Sequence, residues 1–257
     1  MAYNEFAYFY DEFNGEADYD ALYRYVKGQL DQHGVEKGIV VDLGCGTGDL
    51  TLMLTQAGYD MIGVDQSEEM LSVLQEKAAD LGLTGQLLLL QQDILHLDLY
   101  GTINAAVSTF DTYNHIGPAE NFEAAVARAA FFMEKRGVFI FDLNTPYKHQ
   151  QVLGNQTITI DAPDCACLWT NHYDEEAQRV DIRLDITDKD MDEKFTEEFS
   201  EYTYPLEFVR QVLDRHGFVL DAVCDGESFG PLTETSQRYM ITAVKQYTQL
   251  EGEEENE

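Results

Sequence analysis

The segment Val40-Val41-Asp42-Leu43-Gly44-Cys45-Gly46-Thr47-Gly48 sets three glycines at alternate positions directly behind an apolar run that carries one acid. Glycine allows a tight turn and lets a ligand approach the backbone with no Cβ in the way. A helix starting at once adds unpaired N–H groups and positive potential, which suit a nucleotide or the carboxylate of an amino acid. The pattern is G-x-G-x-G rather than the G-x-G-x-x-G of dinucleotide sites, so a nicotinamide cofactor is the poorer match. Asp65 closes the next apolar run, where a carboxylate can accept two hydrogen bonds from a ribose diol. Asp93-Ile94 closes the third, pairing an acceptor for an adenine amino group with a side chain that packs on the ring. Either acid could instead cap a helix. Both at the carboxyl edge of successive strands, behind one glycine turn, form a constellation, because ligands of such sheets bind at that edge.

Regular elements must hold these residues together. Apolar spacing predicts a first helix with Leu22, Tyr25, Val26 and Leu30 on one face and Gly34 as its stop. Strands are expected over 39–43, 61–64, 87–90, 103–110 and 138–143. Between them lie a helix ending at Gly58, a helix capped by Ser67 and ended at Gly82, and a helix over 121–133. Apolar runs without alternation read as parallel strands covered on both faces, and strands alternating with helices imply right-handed βαβ units. Past Thr145-Pro146 the pattern changes. Segments 157–160, 165–173, 179–186 and 195–204 mix β-branched and aromatic residues with polar ones, as in an antiparallel insertion with one wetted face. A helix over 206–216 and strands over 218–223 and 239–244 complete the pattern. The expected organisation is α/β: a mostly parallel seven-stranded sheet with helices on both faces, plus an inserted antiparallel β subdomain. Residues 1–35 form an N-terminal lid and helix, 36–146 and 205–247 the core, 147–204 the insertion, and 248–257 an acidic disordered tail.

The chain has 257 residues, 44% of them hydrophobic, enough for one sizeable core with an insertion. Its 48 acids against 16 bases give a net charge of −32. Such a surface repels phosphate backbones and anionic membranes, which argues against nucleic acid and membrane partners. Four cysteines make no disulfide framework. Cys165 and Cys167 share one face of a strand but lack further ligands at metal spacing, so no metal is expected. The N-terminus lacks the regions of a signal peptide, and no apolar run approaches the ~18 residues a membrane helix needs; a cytoplasmic location is expected.

The string Val40 to Gly48, with Asp65 and Asp93-Ile94, resembles the motifs of the class I S-adenosylmethionine (SAM)-dependent methyltransferases, over roughly residues 36 to 145. The resemblance implies a Rossmann-like fold whose last two strands form a reversed hairpin. It implies that the glycine turn holds the methionine part of SAM, the acid after strand two the ribose, and the acid after strand three the adenine. The cofactor set it implies is Asp42, Gly44, Cys45, Gly46, Asp65, Gln66, Met70, Asp93 and Ile94. The chain also resembles small-molecule N-methyltransferases with a β insertion after strand five, including sugar-amine and glycine-type enzymes. By that likeness Tyr10 or Tyr19, in Tyr10-Asp11 and Asp18-Tyr19, closes over SAM from an N-terminal lid; the alternative is that they only pack the first helix.

In Ser108 to Ile116, where such enzymes place residues beside the methyl group, Phe110 is expected to line the cofactor. Tyr113 and His115 are expected to face the substrate, His115 as a candidate general base near neutral pH. The Asn/Asp-Pro-Pro-Tyr motif of adenine and glutamine-amide methyltransferases is missing after strand four. Asn144-Thr145-Pro146-Tyr147 resembles it but follows strand five, and no Pro-Cys nucleophile is present. The expected reaction is transfer of the methyl group of SAM to a small-molecule acceptor, an amine nitrogen by preference, leaving S-adenosylhomocysteine. The acidic balance favours a cationic or polar amine. The insertion, with Trp169, His172 and Tyr173, is expected to choose the acceptor or to form a dimer surface, so a monomer or homodimer is anticipated. A small-molecule O-methyltransferase and a SAM-binding protein without transferase activity remain the alternatives.

Overall fold

In the computed structural model, which describes residues 17–189, 191 and 193–246, the alternating pattern assembles into one parallel core sheet with a second sheet inserted late in the chain. β1 (Ile39–Leu43) pairs in parallel with β2 (Asp60–Asp65) on one side and β4 (Ile103–Ser108) on the other. β2 continues to β3 (Leu87–Gln91), and β4 to β5 (Met133–Asn144). The insertion is an antiparallel meander of β6 (Thr157–Asp161), β7 (Cys165–Asp174), β8 (Arg179–Asp188) and β9 (Glu193–Tyr202). β10 (Phe218–Asp225) and β11 (Arg238–Lys245) return to the core, with β11 antiparallel to both β10 and β5. The order is β10-β11-β5-β4-β1-β2-β3. The chain leaves β1 toward β2 and later comes back past it to β4, so connections diverge at the β1/β4 boundary. A crevice opens there at the carboxyl ends of the strands.

Helices α1 (Tyr19–Gln32), α2 (Asp49–Gln56), α3 (Glu68–Asp80), α4 (Ala119–Phe132) and α5 (Leu206–Arg215) cover the sheet. On one face Phe122 of α4 and Val209 and Val212 of α5 pack on Phe139 and Phe141 of β5. On the other, Val26 and Leu30 of α1 and Leu50 and Leu54 of α2 pack on Val40, Val107 and Ile140. Val40 and Val41 thus enter different cores, which is why β1 shows no polar alternation. Each such fully buried aliphatic or aromatic side chain contributes roughly 1.5–3 kcal/mol of transfer free energy. Ser67 caps α3 by accepting from the Met70 N–H at 3.1 Å, which fixes the start of the helix beside the Asp65 end of β2.

The structure departs from the expected elements at points that matter for the site. β3 is a sheet edge, and its Leu88 is 47% exposed rather than covered on both faces. β4 ends at Ser108, because Phe110 and Asp111 both adopt left-handed backbone that no strand accommodates. β5 begins at Met133, directly after α4, well before the expected Val138. Residues Lys148–Leu153 form a wide helical turn that apolar periodicity did not foresee. In the insertion, Cys167, Val180, Ile182, Leu184 and Ile186 close an apolar face over Leu153. The opposite face is wet, with Arg183 bridging Asp185 at 2.7 Å and Glu198 at 2.6 Å. No helix among the described residues is long and apolar enough to cross a membrane.

Candidate active site

The crevice at the carboxyl edge holds a cavity of about 310 Å³. The core contributes Gly44, Gly46, Asp65, Gln66 and Met70, with Asp93 and Ile94 after β3. The segment after β4 contributes Phe110, Asp111 and His115, and the inserted sheet Trp169, Leu184, Phe199 and Glu201.

All three glycines of the turn are left-handed, at φ 74°, 52° and 86° for Gly44, Gly46 and Gly48. Their surroundings differ. A Cβ on Gly44 would lie 2.3 Å from Thr112 Cγ2, and one on Gly48 2.0 Å from Leu74 Cδ1. One on Gly46 would meet no protein atom within 4 Å. Packing therefore demands the outer two glycines, while the middle one leaves open room on the cavity. The backbone N–H groups correct the simple picture of a turn that donates to its ligand. Those of Gly44 and Cys45 donate to the Val64 carbonyl at 2.8 and 3.0 Å, that of Gly46 to Asp65 Oδ2 at 2.9 Å, and that of Gly48 to the Cys45 carbonyl at 3.0 Å. What the turn offers is close approach and its carbonyl oxygens.

Asp65 braces this turn and also accepts from the Ser67 N–H at 2.9 Å; burial raises its pKa. Asp93 lines the cavity, yet also serves as a cap, accepting from the Leu95 N–H at 2.9 Å. Asp42 and Cys45 lie beneath the turn and do not line the cavity. Asp42 accepts from Thr51 Oγ1 at 2.5 Å, and burial, aided by the nearby Asp65 charge, pushes its pKa up to about 7. Cys45 packs with Leu52, Leu71 and Leu74, and burial raises its thiol well above the usual range, which leaves it a poor nucleophile.

Tyr113 is a correction. It is fully buried and packs against Phe122, Phe139 and Phe141, with ring centroids 5.5 to 5.7 Å apart. It faces the core, not a substrate, because the turn at 110–111 rotates the short helical segment Thr112–Asn114 inward. Tyr19 packs on Phe110 at 5.1 Å without lining the cavity, and Tyr10 lies outside the described residues. Of the insertion candidates Trp169 lines the cavity, while His172 is exposed elsewhere and Tyr173 meets Gln150.

His115 does face the cavity, its ring 5.1 Å from that of Phe199. One ligand atom each of Asp111, His115 and Glu201 lies within 4.8 Å of the others, so the three could hold a cation. Sequence spacing did not reveal this grouping, since Glu201 comes from β9. One signal was legible: Phe199 and Glu201 share a strand face, which puts an acid where the pattern calls for an apolar residue. Glu201 is only 5% exposed. Burial works against its charge, but His149, at 3.0 Å, and the His115 and Lys148 charges together hold its pKa down to about 2. Asn144 Nδ2 donates to Glu201 at 2.7 Å and to Asp111 at 2.8 Å. The Asn144 to Tyr147 string that sequence reasoning set aside thus begins with a residue that braces the cluster.

Residues 40–137 match the family described as a methyltransferase domain. Over 251 residues the chain is 27% identical to YqeM of Bacillus subtilis (strain 168), which is named as a methyltransferase, with 96% of this chain and 99% of that one covered. The crystal structure of a SAM-dependent methyltransferase from Clostridium acetobutylicum ATCC 824 aligns with a TM-score of 0.86 at 26% identity, over 95% of this chain and 99% of that one. SAM-bound CalS10, an amino pentose methyltransferase from Micromonospora echinaspora, aligns with a TM-score of 0.71 at 16% identity, over 95% and 98%, a likeness of fold. Sheet order, cavity position and near-complete alignment agree: the chain carries a methyltransferase domain on a Rossmann-like fold and is a SAM-dependent methyltransferase, with SAM as its cofactor.

Proposed function

We propose that the chain transfers the methyl group of SAM to a nitrogen of a small-molecule amine in this cavity. The observation that carries the nitrogen reading is the cluster of Asp111, His115 and Glu201 on the cavity wall, with Glu201 held ionised. Two carboxylates beside one imidazole attract a cationic amine, and the imidazole nitrogen can accept the proton an attacking amine must lose. The fold-level likeness to an amino pentose methyltransferase supports the same reading.

SAM, when bound, supplies a methyl group already activated on a sulfonium. The chain's own residues bind, orient and exclude water. Open space at Gly46 admits the amino-acid half, and the carbonyls of the turn suit its ammonium. Asp65 suits the ribose diol, with Gln66 and Met70 beside it, while Asp93 and Ile94 suit the adenine edge and face. Phe110 closes the floor. Trp169, Leu184 and Phe199 of the inserted sheet give the acceptor a dry, aromatic wall, which makes that sheet the selecting lid. Alignment of a lone pair with the S–CH₃ bond can supply several kcal/mol, up to roughly 7–11 in ideal geometry.

The test is S-adenosylhomocysteine formation with a panel of small amines (amino sugars, amino acids, polyamines), each paired with its hydroxyl counterpart. Turnover confined to the amines is expected; turnover confined to hydroxyl or anionic members overturns the nitrogen reading. A second reading, O-methylation, is favoured by the ability of the same three side chains to ligate a divalent cation that would activate a hydroxyl. Chelator-sensitive turnover of hydroxyl members identifies it.

A further inference from the structure

The turn after β4 contains two consecutive non-glycine residues in the left-handed region, Phe110 at φ 57° and Asp111 at φ 56°. A residue with a Cβ resists this conformation, so something must hold it. Both backbone amides converge on one side chain of β5. The Phe110 N–H donates to Asp142 Oδ2 at 2.7 Å, and the Asp111 N–H to Asp142 Oδ1 at 2.6 Å. Successive amides gathered on one carboxylate form a nest, and the charge makes each bond short and strong. Asp142 is 1% exposed, and its charge is compensated by Arg238 of β11, whose Nη1 lies 2.9 Å from Oδ2. The same guanidinium sits 5.3 Å from the centre of the Phe110 ring.

The placement has a consequence for the site. Phe110 and Asp111 line the cavity, whereas Asp142 does not. The next residue, Thr112, packs so closely on Gly44 that no Cβ fits between them. The conformation of this turn therefore sets the spacing between the glycine turn and the Asp111, His115 and Glu201 cluster. Two residues beyond Asp142, Asn144 holds the Asp111 and Glu201 carboxylates from the same strand. β5 thus grips the turn twice, at its amides and at its acid.

We propose that Asp142 is a positioning residue for methyl transfer: by accepting both amides it fixes the left-handed Phe110–Asp111 turn, and with it the distance from donor to acceptor. The proposal rests on the reading that the acceptor is held at Asp111, His115 and Glu201.

The test is Asp142→Asn, nearly the same shape but with one oxygen replaced by an NH₂ that cannot accept. Three quantities are read: S-adenosylhomocysteine affinity by calorimetry, kcat and KM for the best amine of the panel, and the backbone amide shifts of Phe110 and Asp111. A displacement near 1 Å costs on the order of 100-fold in rate, so kcat should fall by about that factor while acceptor KM and S-adenosylhomocysteine affinity change by less than about threefold. At least one of the two amides should move upfield, with the Gly46 and Ser67 amides, held by Asp65, staying in place. Unmoved Phe110 and Asp111 amides, or an unchanged kcat, would overturn the proposal. Loss of S-adenosylhomocysteine affinity in step with kcat would also overturn it, by assigning Asp142 to the cofactor site or the fold. If the wild-type chain methylates only a hydroxyl member, that member replaces the amine, so failure of the nitrogen reading leaves this test standing; if it methylates none, the amide shifts decide. Should Asp142→Asn fail to fold, Arg238→Gln, which removes the charge partner of Asp142 and the cation over the Phe110 ring but leaves both amide bonds their acceptor, should show the same pattern more weakly.

Discussion

Replacing Gly46 and Gly48 by alanine, one at a time, should separate two roles that lie two residues apart in one turn. Both positions have left-handed φ, so each substitution costs roughly 1–2 kcal/mol in backbone strain. For Gly46→Ala that is nearly the whole structural cost, since its Cβ meets no protein atom within 4 Å. At about 2–4 °C per kcal/mol for a chain of this size, the melting temperature should fall by roughly 2–8 °C. The Gly48 Cβ would lie 2.0 Å from Leu74 Cδ1, a fully buried side chain, so overpacking adds about 1–3 kcal/mol. Gly48→Ala should therefore lose roughly 4–20 °C. Cofactor affinity should rank the other way. The Gly46 methyl occupies open room on the cavity at the place proposed for SAM, and a clash of about 1–3 kcal/mol there weakens binding by roughly 5- to 150-fold. Differential scanning fluorimetry and titration calorimetry with SAM and S-adenosylhomocysteine read both quantities. A folded Gly46→Ala protein that binds SAM as well as wild type would refute the assignment of this turn to the cofactor.

Tyr113→Phe removes a buried hydroxyl with no hydrogen-bond partner among the described residues, so turnover should be unchanged and the melting temperature level or raised by a few degrees, about 1 kcal/mol; a tenfold loss of turnover would return Tyr113 to the chemistry. Glu201→Gln should raise the amine KM at least about tenfold without changing S-adenosylhomocysteine affinity, since a charge-assisted contact is worth about 1.5–3 kcal/mol. The carboxyl of Glu201 is lowered from 4.5 to about 2, so its ionisation contributes stability that is present above about pH 4.5 and lost as pH falls toward 2. Acid melts of the glutamine variant should lack that slope. Asp42 has the opposite sign: with its pKa raised from 3.8 to about 7, the folded state binds its proton more tightly, and stability declines as pH rises from about 4 through 7. Asp42→Asn should flatten the decline and melt higher than wild type above pH 7; parallel curves for the two proteins would contradict the buried charge.

The geometry of the glycine bend and its two acids was legible because its information is local. A strand, a glycine bend and a helix occupy Val40 to Leu54 without a break, and left-handed glycines announce their backbone by residue type. Asp65 and Asp93 follow at the ends of the next two strands, and parallel βαβ winding brings such ends to one edge. The wall of the cavity around Asp111, His115 and Glu201 was not legible to the same degree. Tyr113 and His115 lie two residues apart in a segment without regular periodicity, and a turn that neither of them makes sends one into the core and the other to the cavity.

The sequence by itself determined the fold class, the order of alternating elements and the glycine bend with its two acids, because these depend on backbone propensity and on apolar period over short spans. Only the tertiary structure decided that the amides of the bend are engaged by Val64 and Asp65, and that Asp142 reaches from β5 to hold the turn after β4. It alone brought Glu201 of the inserted sheet beside Asp111 and His115. The physical reason is that hydrogen-bond satisfaction and burial of charge are settled between distant segments once the sheets dock, and no local period in the chain records which groups will meet.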